Sequence, residues 1–392
     1  MREGWTYKKL GEVADISAGQ GAPQGENNYC SDGIPFIKAG NLESLINGMP
    51  EQTMQKVSDL VAKSHRLKLY KSGSVLFAKS GMSCMKGWVY TLKNDCYVVS
   101  HLAVITPHMQ KTEGRYLNYY FQFNKPNTLV KDAAYPSISL KDIENISIPV
   151  PSLSEQQSIV AELDKINELI SLKKAQLSDL DSLAQSIFYD MFGDPIENEK
   201  GWGIKALGTI ADFKNGLNFS KEESGNCYKF LGVSDFQDNR IVCSDALNDI
   251  HLNDSISNEY LLQTGDIVFV RSNGSKELVG RNILMHITEP TTFSGFCIRC
   301  RLSDDDFNSV YLSYLLKAPS MRPVITNSGR GCNISNLNQK ILSSLPIIHP
   351  PLSLQQEFAK RIELIEKQKV QISSTIKDLE TLLASRMQYW FD

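Results

Sequence analysis

The stretch from Ser154 to Phe192, SEQQSIVAELDKINELISLKKAQLSDLDSLAQSIFYDMF, decides the fold. Apolar residues recur in it at alternating steps of four and three, which is a coiled-coil heptad pattern interrupted by Lys173. These residues are Ile159, Leu163, Ile166, Ile170, Leu177, Leu180, Ala184, Ile187 and Met191. Ser154 and Gln157 are expected to form a capping box, and Gly193 to end the helix. The pattern predicts a rod roughly 58 Å long at 1.5 Å per residue.

A second copy of this stretch closes the sequence. Pro350-Pro-Leu-Ser-Leu-Gln-Gln356 echoes Pro151-Ser-Leu-Ser-Glu-Gln-Gln157, and polar breaks in the second apolar seam fall at Lys369 and Arg386. That seam consists of Phe358, Ile362, Ile365, Ile372, Ile376, Leu379, Leu383 and Trp390. A long amphipathic helix must bury its apolar stripe, so we expect the two helices to pack on each other. Packing of each helix on its neighbouring globular domain is the alternative.

The globular segments before the two helices are also duplicated. Trp5 to Gly19 aligns with Trp202 to Gly216, and further on Gly73-Ser-Val-Leu-Phe-Ala-Lys-Ser80 aligns with Gly265-Asp-Ile-Val-Phe-Val-Arg-Ser272. Each aligned pair combines strand and turn signals, and a short helix is expected later in each half. The fold class is therefore α+β, with two duplicated mixed α/β domains separated by two long helices. The predicted boundaries are 1–153, 154–192, 193–352 and 353–392.

Composition describes a globular protein without an expected membrane segment. Hydrophobic residues make up 42% of the 392 residues, and no apolar run approaches the length of a membrane span. Because no signal segment follows Met1, we expect a cytoplasmic location. The eight cysteines are scattered, and Cys297 and Cys300 should point to opposite faces of one strand as structural residues. The formal net charge is −3, with positive charge concentrated in the first globular segment and a net acidic second one.

Motifs for catalysis are missing from the sequence. It contains no phosphate-binding loop, no His-Glu-x-x-His zinc motif and no Gly-x-Ser-x-Gly elbow. We therefore predict no catalytic residues, no metal site and no cofactor.

Matched polar loops follow corresponding strands in the two halves. Arg and Lys can bind phosphate or guanine, Asn can bind adenine, and Ser can bind either a base or a phosphate. For any single residue, a solvated turn is the simpler interpretation, but recurrence in both halves favours DNA contact for the loops as a group. The candidate DNA-binding residues are Lys79, Ser80, Lys86, Tyr135, Arg271, Ser272, Asn273, Lys276, Arg330 and Asn333.

The duplicated order of domain and helix resembles the specificity subunits of type I restriction-modification enzymes. The resemblance covers the whole chain and includes the Leu-Ser-x-Gln-Gln segments at Leu153 and Leu352 and the Trp-x-x-x-x-Leu-Gly segments at Trp5 and Trp202. It implies two target-recognition domains, each reading one half of a split, asymmetric site in double-stranded DNA. It also implies an antiparallel pair of spacer helices, two methyltransferase (modification) subunits and nuclease-translocase (restriction) subunits as partners.

Two other classes of protein remain as alternatives. An enzyme with its own nuclease or methyltransferase site would need motifs that the sequence lacks. A coiled-coil scaffold carrying two protein-binding domains would be indifferent to DNA. If the helices pair antiparallel, their length is expected to set the spacing between the two half-sites.

Overall fold

A computed structural model describes residues 5–218, 225–236, 241–253, 255–272, 277–326 and 337–392. Asn273, Lys276, Arg330 and Asn333, four of the candidate DNA-binding residues, lie outside this described part. The chain divides into two compact units. Unit 1 comprises Met1–Lys174 with Ser374–Asp392, and unit 2 comprises Ala175–Ser373.

The globular part of unit 1 mixes short strands and short helices. Its elements are β1 (Thr6–Lys9), β2 (Ala14–Ala18), β3 (Ile34–Ile37), α1 (Leu42–Ile46), β4 (Lys56–Val57), α2 (Asp59–Ser64), β5 (Val75–Ala78), β6 (Val89–Thr91), β7 (Tyr97–Val98), β8 (Leu102–Pro107), α3 (Gly114–Phe123), α4 (Leu140–Glu144) and β9 (Ser147–Val150). An antiparallel sheet has the order β2-β8-β5-β6, a smaller sheet has the order β4-β3-β7, and β1 pairs with β9. The central strand β5 is buried along its whole length, as expected for a continuous apolar run.

The first long helix, α5, spans Leu153–Phe192 and leads into a second globular part. The elements there are β10 (Gly203–Ala206), β11 (Ala211–Asn215), β12 (Asn226–Leu231), β13 (Ile241–Cys243), β14 (Asn248–Leu252), β15 (Ile267–Val270), β16 (Asn282–His286), β17 (Thr291–Phe293), β18 (Cys297–Leu302), α6 (Ser309–Leu316), α7 (Met321–Thr326), α8 (Gln339–Ser343) and β19 (Pro346–His349). The second long helix, α9, spans Leu352–Phe391. Both long helices begin one residue before the predicted start.

The sheets of unit 2 repeat those of unit 1 with one added strand. The larger sheet has the order β11-β18-β15-β16-β13, the smaller has the order β14-β12-β17, and β10 pairs with β19. In both units the smaller sheet contains one parallel pair, β3 with β7 and β12 with β17. The duplication inferred from the sequence is therefore a duplication of topology, and β13 is the difference between the two larger sheets.

The long helices pack antiparallel within each unit. In unit 1, Glu162 accepts hydrogen bonds from Arg386, and Lys174 pairs with Glu380 at 2.9 Å. The residue numbers of the partners fall along α9 as they rise along α5, so the two helices are antiparallel. In unit 2, Lys369 Nζ lies 3.1 Å from Asp181 Oδ1. The polar breaks at Lys369 and Arg386 are therefore interhelical ion pairs, which specify register in a coiled coil.

The predicted seam is correct in part. All of its members are buried or half-buried, but Phe188 and Phe192 of α5 are more deeply buried than the predicted Ile187 and Met191. Both phenylalanines pack on Phe358 and Tyr311, which belong to the core of unit 2. The seam shifts there because this part of the helix faces the globular core as well as the other helix.

The predicted capping box is wrong. Helix α5 begins at Leu153, and Ser152 Oγ accepts the Glu155 N–H at 3.3 Å, which makes Ser152 the N-cap. The predicted end is correct, since Gly193 has a φ of 78° and donates its N–H to Tyr189 O at 2.8 Å.

A buried glutamine of the repeated motif joins each long helix to its globular part. Gln156 is fully buried, and its Nε2 donates to Lys111 O and Pro151 O at 3.0 Å each. Its Oε1 accepts from Thr112 Oγ1 and Glu113 N at 3.1 Å each. Gln355 makes the equivalent set in unit 2, with Nε2 donating to Asp306 O and Pro350 O and Oε1 accepting from Asn308 N. The motif therefore fixes the angle at which the helix leaves the domain.

Candidate nucleic-acid interface

In unit 1 the carboxyl end of β5 brings three separate segments together. Lys79 donates its N–H to His101 O at 2.9 Å, and its carbonyl accepts the Ile138 N–H at 2.8 Å. Next to it, the side chains of Ser80 and His101 share a hydrogen bond of 2.9 Å, and Gly81 N donates to Pro136 O at 3.0 Å. The two predicted loops of this domain, residues 79–86 and 134–137, therefore form one surface, which we call loop surface 1.

The candidate side chains of loop surface 1 are accessible to a ligand. Lys79 and Ser80 are half-buried, Lys86 is exposed, and Tyr135 is 82% exposed. Burial raises the pKa of the Cys84 thiol, and the nearby positive charge of Lys79 partly offsets that rise. A positive charge and an exposed aromatic ring are the kinds of group that bind phosphates and bases.

Unit 2 repeats the backbone geometry around its candidate arginine. Arg271 donates its N–H to Phe296 O at 2.7 Å, and its carbonyl accepts the Leu337 N–H at 2.8 Å. The two bonds correspond to those that Lys79 makes with His101 and Ile138. Arg271 and Ser272 are both half-buried, in the same way as Lys79 and Ser80.

Close approach of the backbone explains a glycine that both copies share. A Cβ on Gly19 would lie 2.2 Å from Val99 O, and one on Gly216 would lie 2.2 Å from Ser294 O. Gly19 N donates to Leu102 O and Gly216 N to Cys297 O, both at 3.1 Å. These contacts hold Gly19 against the turn that carries His101, and Gly216 against the turn that carries Phe296.

Sequence reasoning missed several residues beside these loops. His101 and Phe296 occupy equivalent turns, and Phe296 is 53% exposed although it is apolar. Gln20 binds the backbone of Arg66 and Lys68 and so brings both basic residues to the turn before His101. Aligning the two copies could have found His101 and Phe296, but no sequence signal joins Gln20 to a segment 46 residues away.

Four basic side chains in the second globular part are paired with acidic residues within the fold. Among its described residues, basic side chains form ion pairs with acidic ones in Lys205–Asp304, Lys214–Glu259, Lys229–Asp249 and Arg301–Asp266. The Arg301–Asp266 pair is the most buried, with the Asp266 side chain 1% exposed. Each of these pairs cancels in the net charge, so the charge that DNA meets depends on the basic side chains outside them.

The two cysteines of the Cys-x-x-Cys segment lie in different cores. Cys297 packs in a cluster with Leu231 and Phe293, whereas Cys300 packs in a cluster with Leu207 and Tyr311. Burial raises the pKa of Cys297 to about 12. The described residues bring together no cluster of three or more potential metal ligands, and they include no helix that could cross a membrane.

Comparison with known proteins identifies the family of this fold. The family described as type I restriction modification DNA specificity domain matches twice, at residues 2–181 and 199–381, so the chain belongs to this family. A type I restriction enzyme specificity subunit from Salmonella potsdam, StySPI, is 26% identical over 93% of this chain and 82% of its own length. The resemblance inferred from the sequence is confirmed.

Solved structures share the fold at low sequence identity. The crystal structure of a type I restriction-modification S subunit from M. genitalium is 14% identical and has a TM-score of 0.55, with coverage of 99% of this chain and 96% of that chain. A chain from a study of complex assembly and conformational transition of the type I R-M system is 18% identical and has a TM-score of 0.58, with coverage of 100% and 98%. The expected α+β fold with duplicated domains and an antiparallel helix pair is therefore confirmed.

Proposed function

We propose that this chain is the DNA sequence-specificity subunit of a type I restriction-modification complex. Residues 1–153 and 193–352 are its target-recognition domains, and residues 154–192 and 353–392 are its spacer helices. Each domain reads one half of a bipartite, asymmetric site in double-stranded DNA. The chain recruits two methyltransferase subunits and the restriction subunits, and it supplies recognition while they supply the chemistry. It acts where these subunits meet DNA, in the cytoplasm.

The observation that carries this proposal is the matched geometry of Lys79 and Arg271. Each follows the buried central strand of its sheet, and each is fixed by one backbone bond to a turn and one to a later loop. Two copies of one basic, accessible arrangement suit a site with two unequal halves. The family match over both copies supports the same function.

The remaining candidates of the predicted loops would supply further hydrogen-bond donors and one aromatic ring. The proposed contacts are Ser80, Lys86 and Tyr135 in the first domain and Ser272, Asn273, Lys276, Arg330 and Asn333 in the second. Hydrogen bonds to base edges specify sequence, whereas contacts to phosphates position the protein. The mixture of Arg, Lys, Asn and Ser can do both.

Alanine substitutions at Lys79 and Arg271 test the proposal. The target site is first identified by methylome sequencing of the host with and without this gene. Binding of the assembled methyltransferase complex to duplexes altered in one half-site is then measured. Loss of a base contact should weaken binding by about 1–3 kcal/mol and relax selectivity in one half-site only. Loss of a phosphate contact should weaken binding to all sequences and reduce its salt dependence.

Lys141→Ala is the matched control. Lys141 is exposed on α4, which packs against β2 and the turn before it, and we expect unchanged binding. Unchanged binding and methylation for both Lys79→Ala and Arg271→Ala would remove these residues from the interface. Indifference of the whole complex to DNA would instead favour a coiled-coil scaffold with two protein-binding domains.

A further inference from the structure

Unit 1 contains an open groove beside the outer edge of its larger sheet. The groove has a volume of 1540 Å³ and runs along residues 86–93, which include the edge strand β6. Its other walls come from α1, from the outer face of α3 and from α5, including Asn167 and Ser171. It therefore connects Lys86, at the end of loop surface 1, with the spacer helix.

The backbone of β6 forms hydrogen bonds on only one side, toward β5. Leu92 N donates to Ser74 O at 2.9 Å, and Gly73 N donates to Leu92 O at 2.8 Å, so Leu92 faces β5. Because bonding direction alternates along an antiparallel strand, Tyr90 also faces β5, whereas Val89 and Thr91 point their N–H and C=O groups outward. Among the described residues no hydrogen bond reaches these outward groups. Thr91 lines the groove, and its hydroxyl is buried without a hydrogen-bond partner.

The second copy shows what the same edge can hold. Strand β16 is the counterpart of β6, because each pairs antiparallel with the central strand of its sheet. In unit 2 the strand β13, Ile241-Val-Cys243, pairs in parallel with the outer edge of β16. Ile241 also lines a smaller hollow of 400 Å³ between β13, α6 and α9. In unit 1 the corresponding connection forms α1, which packs beside β6, and no strand among the described residues pairs with the outer edge of β6.

Charge on the groove walls favours an acidic occupant. Lys86, Lys93 and Lys125 are exposed on it, and their side chains have no ion pair among the described residues. Arg115 is paired with Asp164, which leaves Glu168 as the acidic residue of the groove walls without an ion pair. An extended segment with acidic residues would pair with the lysines, and its backbone would satisfy Val89 and Thr91.

We propose that an extended, acidic segment of the methyltransferase subunit adds as a strand to the outer edge of β6. This inference rests on the proposed function, because the subunit that modifies DNA has to lie near both the recognition loops and the spacer helix. Strand addition derives its affinity from main-chain hydrogen bonds and its selectivity from side-chain pockets. Strand β13 pairs with the edge of β16, whereas no strand among the described residues pairs with the edge of β6, so only the first domain has a strand edge left to pair.

Amide hydrogen exchange, resolved to single residues by electron-transfer fragmentation, tests the inference on the full chain. On addition of the purified methyltransferase subunit without DNA, exchange at Thr91 should slow at least tenfold. Exchange at Leu92, which is already paired with β5, should stay unchanged. The double variant Lys93→Glu/Lys125→Glu should weaken assembly with the methyltransferase about tenfold. Lys63→Glu/Lys141→Glu, at exposed lysines outside the groove, is the matched control.

Three outcomes would overturn the inference. Assembly with unchanged exchange at Thr91 would show that the edge stays open. Protection that appears only with a DNA duplex would make DNA the occupant of the groove. Complete failure to assemble with the methyltransferase would remove the proposed function itself, and the inference would fall with it.

Discussion

Replacing Gln156 by alanine tests how the first recognition domain is held to its spacer helix. The side chain is fully buried and makes four hydrogen bonds, two as donor and two as acceptor. At about 1 kcal/mol for each buried bond, and with freed backbone groups left partly unsatisfied, the substitution should reduce the free energy of unfolding by about 3–4 kcal/mol. Gln156→Glu should also destabilise, because a carboxylate keeps the size but cannot donate to Lys111 O and Pro151 O.

The neighbouring Gln157 is a control with the same chemistry on the same helix. It is exposed, so Gln157→Ala should change stability by less than about 0.5 kcal/mol. Urea unfolding of the full chain, followed by circular dichroism and tryptophan fluorescence, measures both variants. In unit 2 the same contrast is expected between Gln355, which is buried, and the exposed Gln356. Equal effects at Gln156 and Gln157 would show that the buried bonds do not hold the helix to the domain.

Two further predictions concern the ion pair between the long helices and the close approach of the backbone at Gly19. Arg386 holds the pKa of Glu162 below its usual range, so this ion pair stabilises the fold above the ordinary glutamate pKa and is lost as pH falls through the lowered value. Glu162→Gln should therefore lower stability by about 1 kcal/mol at neutral pH, and in urea titrations this difference should shrink as the pH falls below the ordinary glutamate pKa. Gly19→Ala should destabilise by about 1–3 kcal/mol in the same assay, whereas Gly21→Ala, with open space around it, should be neutral; equal effects would contradict the close approach.

The long helices could be predicted from the sequence because their pattern is long and local. A period sustained over nearly 40 residues outweighs any single misplaced residue. Gly193 marks the end of the helix because glycine readily adopts the left-handed conformation found there. The N-cap was harder, because Ser152 and Ser154 both precede the apolar seam. The choice depends on Gln156, whose burial requires partners in a segment about 45 residues earlier. Such a tertiary requirement leaves no local signal.

The candidate interface was predictable as separate loops but not as one surface. Alignment of the two copies placed Lys79 and Arg271 in equivalent positions, since a buried strand and a turn glycine precede each. The bond between Lys79 O and Ile138 N joins segments that no motif connects. His101 was missed because it belongs to a turn between two strands and has no polar pattern around it.

One pair of equivalent positions is filled by neutral residues in unit 1 and by an ion pair in unit 2, with no difference in net charge. Ser74 and Thr106 share a hydrogen bond of 3.2 Å in unit 1, whereas Asp266 and Arg301 form an ion pair of 2.7 Å at the same places in unit 2. Either pair can occupy these two positions, because in both cases the polar groups are hydrogen-bonded to each other. The opposite charges of Asp266 and Arg301 cancel in the net charge, so this pair changes neither the charge count nor the charge that DNA meets. Arg271 has no ion pair among the described residues, so its charge remains available to DNA although the segment around it is net acidic.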